Sequence, residues 1–178
     1  MDIQGSSELI LQELVESSSL NFPLLIAMII LVLLSAFFSM TETVYSTTNT
    51  VRLTVLAEEG KKQAQKALWI ADHYDRTLTT ILVGNNLVNI SLATISVSFF
   101  TQLLTNGSIV ELVSTLVTTI VVLIFGEITP KTIAKEHADS LAIKLSGVVI
   151  LIIWILTPLV IIFSGFQKLL HLGKDNTE

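Results

Sequence analysis

Residues 22–43 read FPLLIAMIILVLLSAFFSMTET, a run whose only charge is Glu42 near its far end. Wound as an α-helix at about 1.5 Å per residue, some twenty apolar residues match the roughly 30 Å hydrocarbon core of a bilayer. The stretch therefore predicts a membrane-crossing helix. Composition agrees: 51 % of the 178 residues are hydrophobic and 14 % are charged, where ordinary soluble domains carry about a quarter charged. An all-α integral membrane protein follows, with little chain left for a separate soluble catalytic domain. There is no cysteine, which excludes a disulfide framework, a thiolate zinc site and a cysteine nucleophile. The net charge of −5 argues against a nucleic-acid partner.

The positions of the charges set the expected topology. All ten Lys and Arg residues fall in three places: Arg52, Lys61, Lys62, Lys66 and Arg76; Lys131, Lys135 and Lys144; Lys168 and Lys174. The first 51 residues have none, and Asp2, Glu8, Glu13 and Glu16 make residues 1–21 an acidic arm. The positive-inside rule assigns the loop from Arg52 to Arg76 and the stretch from Lys131 to Lys144 to the cytoplasm, and the N-terminus to the outside. Lacking a basic flank upstream, the first span is a poor signal peptide. Spans are expected at about 22–46, 77–104 and 109–130, with an external turn at Asn106-Gly107. The loop from Leu53 to Tyr74, rich in Ala, Leu, Gln, Glu and Lys and broken by Gly60, predicts a pair of short helices on the inner surface.

Leu145 to Phe166 admits two readings. The run is long enough to cross, yet it contains Gly147, Trp154, Pro158 and Gly165 and lies between Lys144 and Lys168. A fourth crossing would place Lys168 and Lys174 outside, against the charge rule; a kinked segment in the inner leaflet keeps both inside. The sequence favours the non-crossing reading and a membrane domain with a juxtamembrane belt at 131–170 and a short tail at 171–178.

Polar residues inside the spans point to function. Ser35, Ser39, Glu42 or Thr43, and Ser46 fall at helical spacing along the first span, lining one face with oxygen, although each hydroxyl alone could simply bond back to its own helix. Glu42, about one turn from the cytoplasmic end, can serve an ion path or pair with Arg52. The second span holds Gly84-Asn85-Asn86-Leu87-Val88-Asn89. Its Asn85 and Asn89, at i and i+4, present two carbonyl oxygens on one face, while Asn86 points about 100° away and can bond to a neighbouring helix. The third span ends Gly126-Glu127-Ile128-Thr129-Pro130-Lys131. Pro130 has no N–H for the carbonyl of Gly126, so a broken helix there offers a backbone oxygen beside the Glu127 carboxylate; an ordinary helix end with Glu127 paired to Lys131 is the plainer alternative. Hydroxyl, amide and carboxyl oxygens suit a hard cation such as Mg²⁺, Ca²⁺ or Na⁺ rather than Zn²⁺ or Cu⁺. His73, His137 and His171 stand at unrelated spacing and read as surface residues.

The three motifs, Ser35 to Thr43, Gly84 to Asn89 and Gly126 to Lys131, in this order and with a basic helical loop between the first two, resemble the transmembrane domain of the CorC/CorB/cyclin M (CNNM) magnesium-transporter family over about residues 20–170. The resemblance implies a homodimer with three membrane helices per subunit and a juxtamembrane helical belt. It implies Mg²⁺ export, with Na⁺ the exchanged ion where transport is coupled, and cytoplasmic CBS domains beyond this membrane domain. Its implied ligands are the Ser39 hydroxyl, the Asn85 and Asn89 amide oxygens, the Gly126 carbonyl and the Glu127 carboxylate, with Ser35, Glu42, Asn86 and Pro130 as supporting or ion-pathway positions. Alternating access around a largely dehydrated Mg²⁺ is the expected mechanism; an ion-sensing anchor and a Mg²⁺ channel are the competing readings. An enzyme is not expected, because no Ser-His, paired-Asp or zinc motif accompanies these residues. A multi-pass protein of the cell membrane is the resulting expectation.

Overall fold

The computed structural model describes the backbone of residues 3–104 and 107–172 and the side chains of residues 22–104 and 107–162. Asn106 of the expected turn and the side chains of Asp2, Glu8, Glu13, Glu16, Lys168, His171 and Lys174 lie outside the described residues. The elements are α1 (Ile3–Thr47), α2 (Thr50–Glu58), α3 (Lys62–Asp72), α4 (Tyr74–Leu103), α5 (Gly107–Val121), a π-helical segment (Val122–Ile128), α6 (Thr129–Glu136) and α7 (Ala138–Leu172). The described residues are thus all helical where regular. Residues 3–21, expected as an arm, continue α1.

Among the described residues four helical stretches are long and apolar enough to cross a membrane: Phe22–Thr47, Tyr74–Leu103, Gly107–Glu136 and Ala138–Ile162. The first three are the expected spans. The fourth is the ambiguous run, wound as one helix through Gly147 and Pro158, so length and apolarity make four candidates where the sequence reading counted three crossings. Side chains are distributed inside out. Ile90, Leu112, Trp154 and Ile162 are each more than 60 % exposed, whereas Ser35, Ser39, Thr41, Thr77, Thr80, Ser96, Ser114 and Ser146 are buried. Exposed large apolar residues over buried small polar ones suit a helix bundle dissolved in lipid, where small residues let backbones approach.

The chain divides into two compact units, Met1–Ala36 with Leu87–Glu127, and Phe37–Asn86 with Ile128–Glu178. In the first, buried positions recur every four residues: Val88, Leu92 and Ser96 on α4 and Val110, Ser114 and Thr118 on α5. This i, i+4 stripe is the narrow face by which helices pack. The second unit has an apolar core of Val44, Tyr45, Leu53, Ala67, Ile70, Ala134, Ala142, Val149 and Ile153, and in it α3 packs on both α2 and α7.

The helical pair forms as the sequence predicts, and its turn is built by Gly60. At φ +84° it takes the left-handed conformation, donating to the Ala57 carbonyl at 3.0 Å, while Lys61 N–H reaches the Leu56 carbonyl at 3.3 Å. These two bonds close the end of α2 in the manner that favours glycine. Asn49 caps the other end, accepting from Arg52 N–H at 3.2 Å.

Asp139, at the start of α7, joins the α1–α2 corner to α7. Its Oδ1 accepts from Thr48 Oγ1 at 3.1 Å and from Asn49 N–H at 2.9 Å, and its Oδ2 accepts from Arg52 Nη1 at 2.9 Å. Tyr45 donates to the Ala142 carbonyl at 2.8 Å, and the Ser146 hydroxyl is shared between the Ile143 carbonyl of its own helix at 2.8 Å and that of Gln63 at 3.1 Å, extending the seam along α7. Replacing Asp139 by Ala removes a charge-assisted cluster and is expected to cost about 1–3 kcal/mol. Thermal unfolding in detergent reads this as a lowered midpoint; an unshifted midpoint would show that the corner is held by packing alone.

Gly84 permits a close approach. A Cβ there would stand 2.6 Å from two ring carbons of Phe38 and 3.0 Å from Leu156 Cδ1, and Phe38 is buried with little room to retreat. Gly84→Ala is expected to destabilise by about 1–3 kcal/mol through overpacking. Phe38→Leu in the same background should recover part of the lost midpoint, and no recovery would place the strain elsewhere.

Candidate functional site

The hydroxyls of α1 separate into two classes. Thr41 Oγ1 bonds to the Phe37 carbonyl at 2.7 Å, Thr43 to that of Ser39 at 3.2 Å, and Ser46 and Thr47 to that of Thr43 at 3.0 and 2.7 Å. These four satisfy their own helix, which withdraws Thr43 and Ser46 from the oxygen-lined face that the spacing suggested. Ser39 does not follow them, and Ser35 reaches a residue of another helix.

Ser35, fully buried, donates from Oγ to Asn89 Oδ1 at 2.9 Å. Its hydroxyl also lies against Gly126, where an added Cβ would stand 3.0 Å from Ser35 Oγ and 3.4 Å from Ser35 Cβ. Three residues from three helical segments of the first unit thereby meet: a hydroxyl, a carboxamide and a backbone position with no side chain. A hydroxyl oxygen and a carboxamide oxygen each carry two acceptor lone pairs. Both are hard ligands of the kind a small cation takes.

The third member sits in unusual backbone. Val122–Ile128 is wound as a π-helix, a wider turn with i→i+5 pairing that is frequent at functional positions. Pro130 follows at the start of α6 and supplies no N–H. The sequence suggested a break at this point; the chain instead changes winding and stays helical. Glu127, half-buried, is part of the π segment. Among the described residues its carboxylate makes no ion pair, and Lys131, its plainer partner by spacing, pairs with Glu42 at 3.3 Å instead.

The remaining predicted positions lie in the second unit. Ser39 is buried, and its Oγ makes no hydrogen bond among the described residues. Asn85 is half-buried and Asn86 is exposed on α4; Pro130 is buried. Glu42 is half-buried and takes Lys131, while Arg52, its expected partner, is bound to Asp139. The preference for Ser39 over Ser35 is thus not mirrored in the first unit, where Ser35 is the hydroxyl that meets Asn89 and Gly126.

Thr118 was missed. It is buried on α5, and its Oγ1 makes no hydrogen bond among the described residues, a state that costs about 1–3 kcal/mol for a hydroxyl. Its signal was the pair Ser114 and Thr118 at i and i+4 in an apolar span; Ser114 bonds back to the Glu111 carbonyl at 3.1 Å and Thr118 does not. Among the described residues no group of three or more His, Cys, Asp or Glu side chains comes together. A cation held by these residues therefore rests mainly on neutral oxygens.

Comparison with known proteins places these motifs. The model of the cyclin M transmembrane N-terminal domain matches residues 25–178. A UPF0053 protein of Haemophilus influenzae is 37 % identical over 145 residues, covering 82 % of this chain and 34 % of its own length. The UPF0053 inner membrane protein YfjD of Escherichia coli is 33 % identical over 137 residues, 77 % of this chain and 32 % of its own. A polyamine export protein of Escherichia coli is 25 % identical over 158 residues, 82 % of this chain and 35 % of its own. The chain thus spans about a third of the length of these relatives. With four long apolar helices and a family model covering most of its length, this membrane protein belongs to the cyclin M transmembrane N-terminal domain family.

Proposed function

We propose that the protein transports Mg²⁺ across the cell membrane as an exporter, Na⁺ being the exchanged ion where transport is coupled, by alternating access around oxygen ligands supplied by its helices. The observation that carries this reading is the Ser35–Asn89 hydrogen bond of 2.9 Å set against the bare backbone of Gly126. Mg²⁺ demands close octahedral oxygen at about 2.0–2.1 Å and dehydrates reluctantly, so its ligands must be brought together before its waters leave. A hydroxyl already aligned on a carboxamide lowers the ordering entropy of that step. Pro130 removes the α-helical donor to the Gly126 carbonyl, and backbone oxygens at such positions serve as cation ligands in transporter helices.

Glu127 supplies the one carboxylate. A single negative charge leaves the bound divalent ion incompletely neutralised in a low dielectric, so opening the site to water favours release. Ser39, through its unpartnered hydroxyl, and Asn85 are the proposed ligand positions of the second unit. The N-terminus outside, three crossing helices and a homodimer belong to the same proposal. Support for α7 as a non-crossing belt comes from its shared core with α3 and from the Ser146–Gln63 bond, which hold its first half along the amphipathic helical pair.

The name of one relative, a polyamine export protein, favours a second reading in which the cargo is an organic polycation. Such a ligand needs several carboxylates or aromatic faces, and the Ser35, Asn89 and Gly126 meeting point offers none.

Proteoliposomes containing the protein and a Mg²⁺-sensitive dye are expected to show saturable flux. Asn89→Ala and Glu127→Ala should each reduce it at least about tenfold, as loss of a ligand to a bound ion does, with the oligomer retained. Gly126→Val, which pushes a branched side chain into Ser35, should reduce flux likewise and lower the thermal midpoint through overpacking. Flux that rises linearly with gradient would mark a channel, spermidine flux without Mg²⁺ flux would mark the polyamine reading, and binding without flux a sensor.

A further inference from the structure

Glu42 and Lys131 form an ion pair that the transport reading leaves unused. Oε2 of Glu42 lies 3.3 Å from Nζ of Lys131, and the two side chains are 30 % and 40 % exposed. Glu42 stands three residues beyond Ser39, whose buried hydroxyl makes no hydrogen bond among the described residues, on the continuous helix α1. The two therefore share a face, with the carboxylate about 4.5 Å further along the axis. Lys131 follows Pro130 directly, in the first turn of α6.

The described residues hold three ion pairs, and this one differs from the other two. Arg52–Asp139 is locked by two further donors to the same carboxylate. Lys61–Glu59 is a contact between near neighbours at the turn of the helical pair. Glu42 faces a single ammonium, and no hydrogen bond to its carboxylate occurs among the described residues. A lysine is a compact charge on a flexible four-carbon stem that can swing toward water when released, and a pair so exposed contributes little net free energy. It is a contact built to exchange.

We propose that the Glu42 carboxylate is a second cation site on the substrate path and that the Lys131 ammonium is its tethered resident, which an incoming Mg²⁺ displaces. The inference rests on the transport reading above and adds a site to it. With the substrate absent, the ammonium balances the charge of the half-buried carboxylate at a small net gain. With the substrate present, a divalent ion offers the carboxylate twice the charge, and the lysine stem moves away. Lys131 therefore sets the threshold concentration at which ions enter from the side of α1's C-terminal end.

The test is the KM for Mg²⁺ flux in proteoliposomes, with Mg²⁺ binding to the detergent-solubilised protein by calorimetry as a second readout. Lys131→Gln removes the resident and is expected to lower KM and the dissociation constant by up to about fivefold, the range an exposed pair allows. Lys131→Arg replaces it by a planar fork that holds a carboxylate in two bonds, and is expected to shift both in the opposite direction. Glu42→Gln should raise KM, and in that background the further change Lys131→Gln should make no difference. A purely structural pair predicts instead that all three single variants lower the thermal midpoint and leave KM and binding where they were, and that result would overturn the proposal. Wild-type flux with no Lys131 effect sinks the second site alone. Absence of Mg²⁺ flux and binding in the wild type removes the transport reading and this site with it.

Discussion

Ser35 reaches the amide of Asn89 because Gly126 has no side chain to keep it away. That steric fact governs the first unit. An added Cβ at Gly126 would stand 3.0 Å from the Ser35 hydroxyl, closer than most such contacts, so the three segments could not hold the spacing that gives the 2.9 Å hydrogen bond. Within a bilayer there is no water to satisfy a hydroxyl or an amide, and each must find a protein partner or a ligand. Most hydroxyls of this chain take the nearest solution, their own helix's carbonyls. The ones that do not are consequently the informative ones.

The π-helical winding of Val122–Ile128 works in the same direction. A proline at position 130 deprives the preceding turn of a donor; a chain that remained α-helical would leave a single carbonyl orphaned, and one that stopped would lose the helix altogether. Widening the turn spreads the disturbance over the whole segment and keeps Gly126 and Glu127 within a helix. A side-chain-free residue, a backbone oxygen without its α-helical donor and a carboxylate thus share one short stretch of chain. Sequence order alone placed them together; the winding decides how they are presented.

Much of this architecture is legible in the residues. The long apolar runs mark the helices because nothing else in a chain of this length could bury them, and Gly60 marks the end of α2 because only glycine adopts its φ without strain. The motifs at Ser35, Asn89 and Gly126 stand out because polar groups in apolar helices are expensive. What the sequence leaves open depends on rotation and winding, to which spacing is blind. Ser35 and Ser39 are one turn apart and interchangeable on a helical wheel, yet one meets Asn89 and the other keeps an unmatched hydroxyl. Thr118 and Ser114 are likewise equivalent by spacing, and a single local bond separates them. Glu42 offered two basic neighbours, and the nearer in sequence, Arg52, had a better partner in Asp139.

That last competition explains the charge pattern of the second unit. Asp139 gathers three donors at 2.9–3.1 Å, two of them fixed by the capped start of α2, so the guanidinium of Arg52 loses least freedom by joining a cluster already formed. Glu42 is left with the ammonium of Lys131, a weaker and more mobile partner. One carboxylate is thereby committed to holding helices together and the other is kept neutral without being committed. On the transport reading proposed above, the two carboxylates divide the work: Asp139 keeps the corner shut, and Glu42 is the one whose partner can leave.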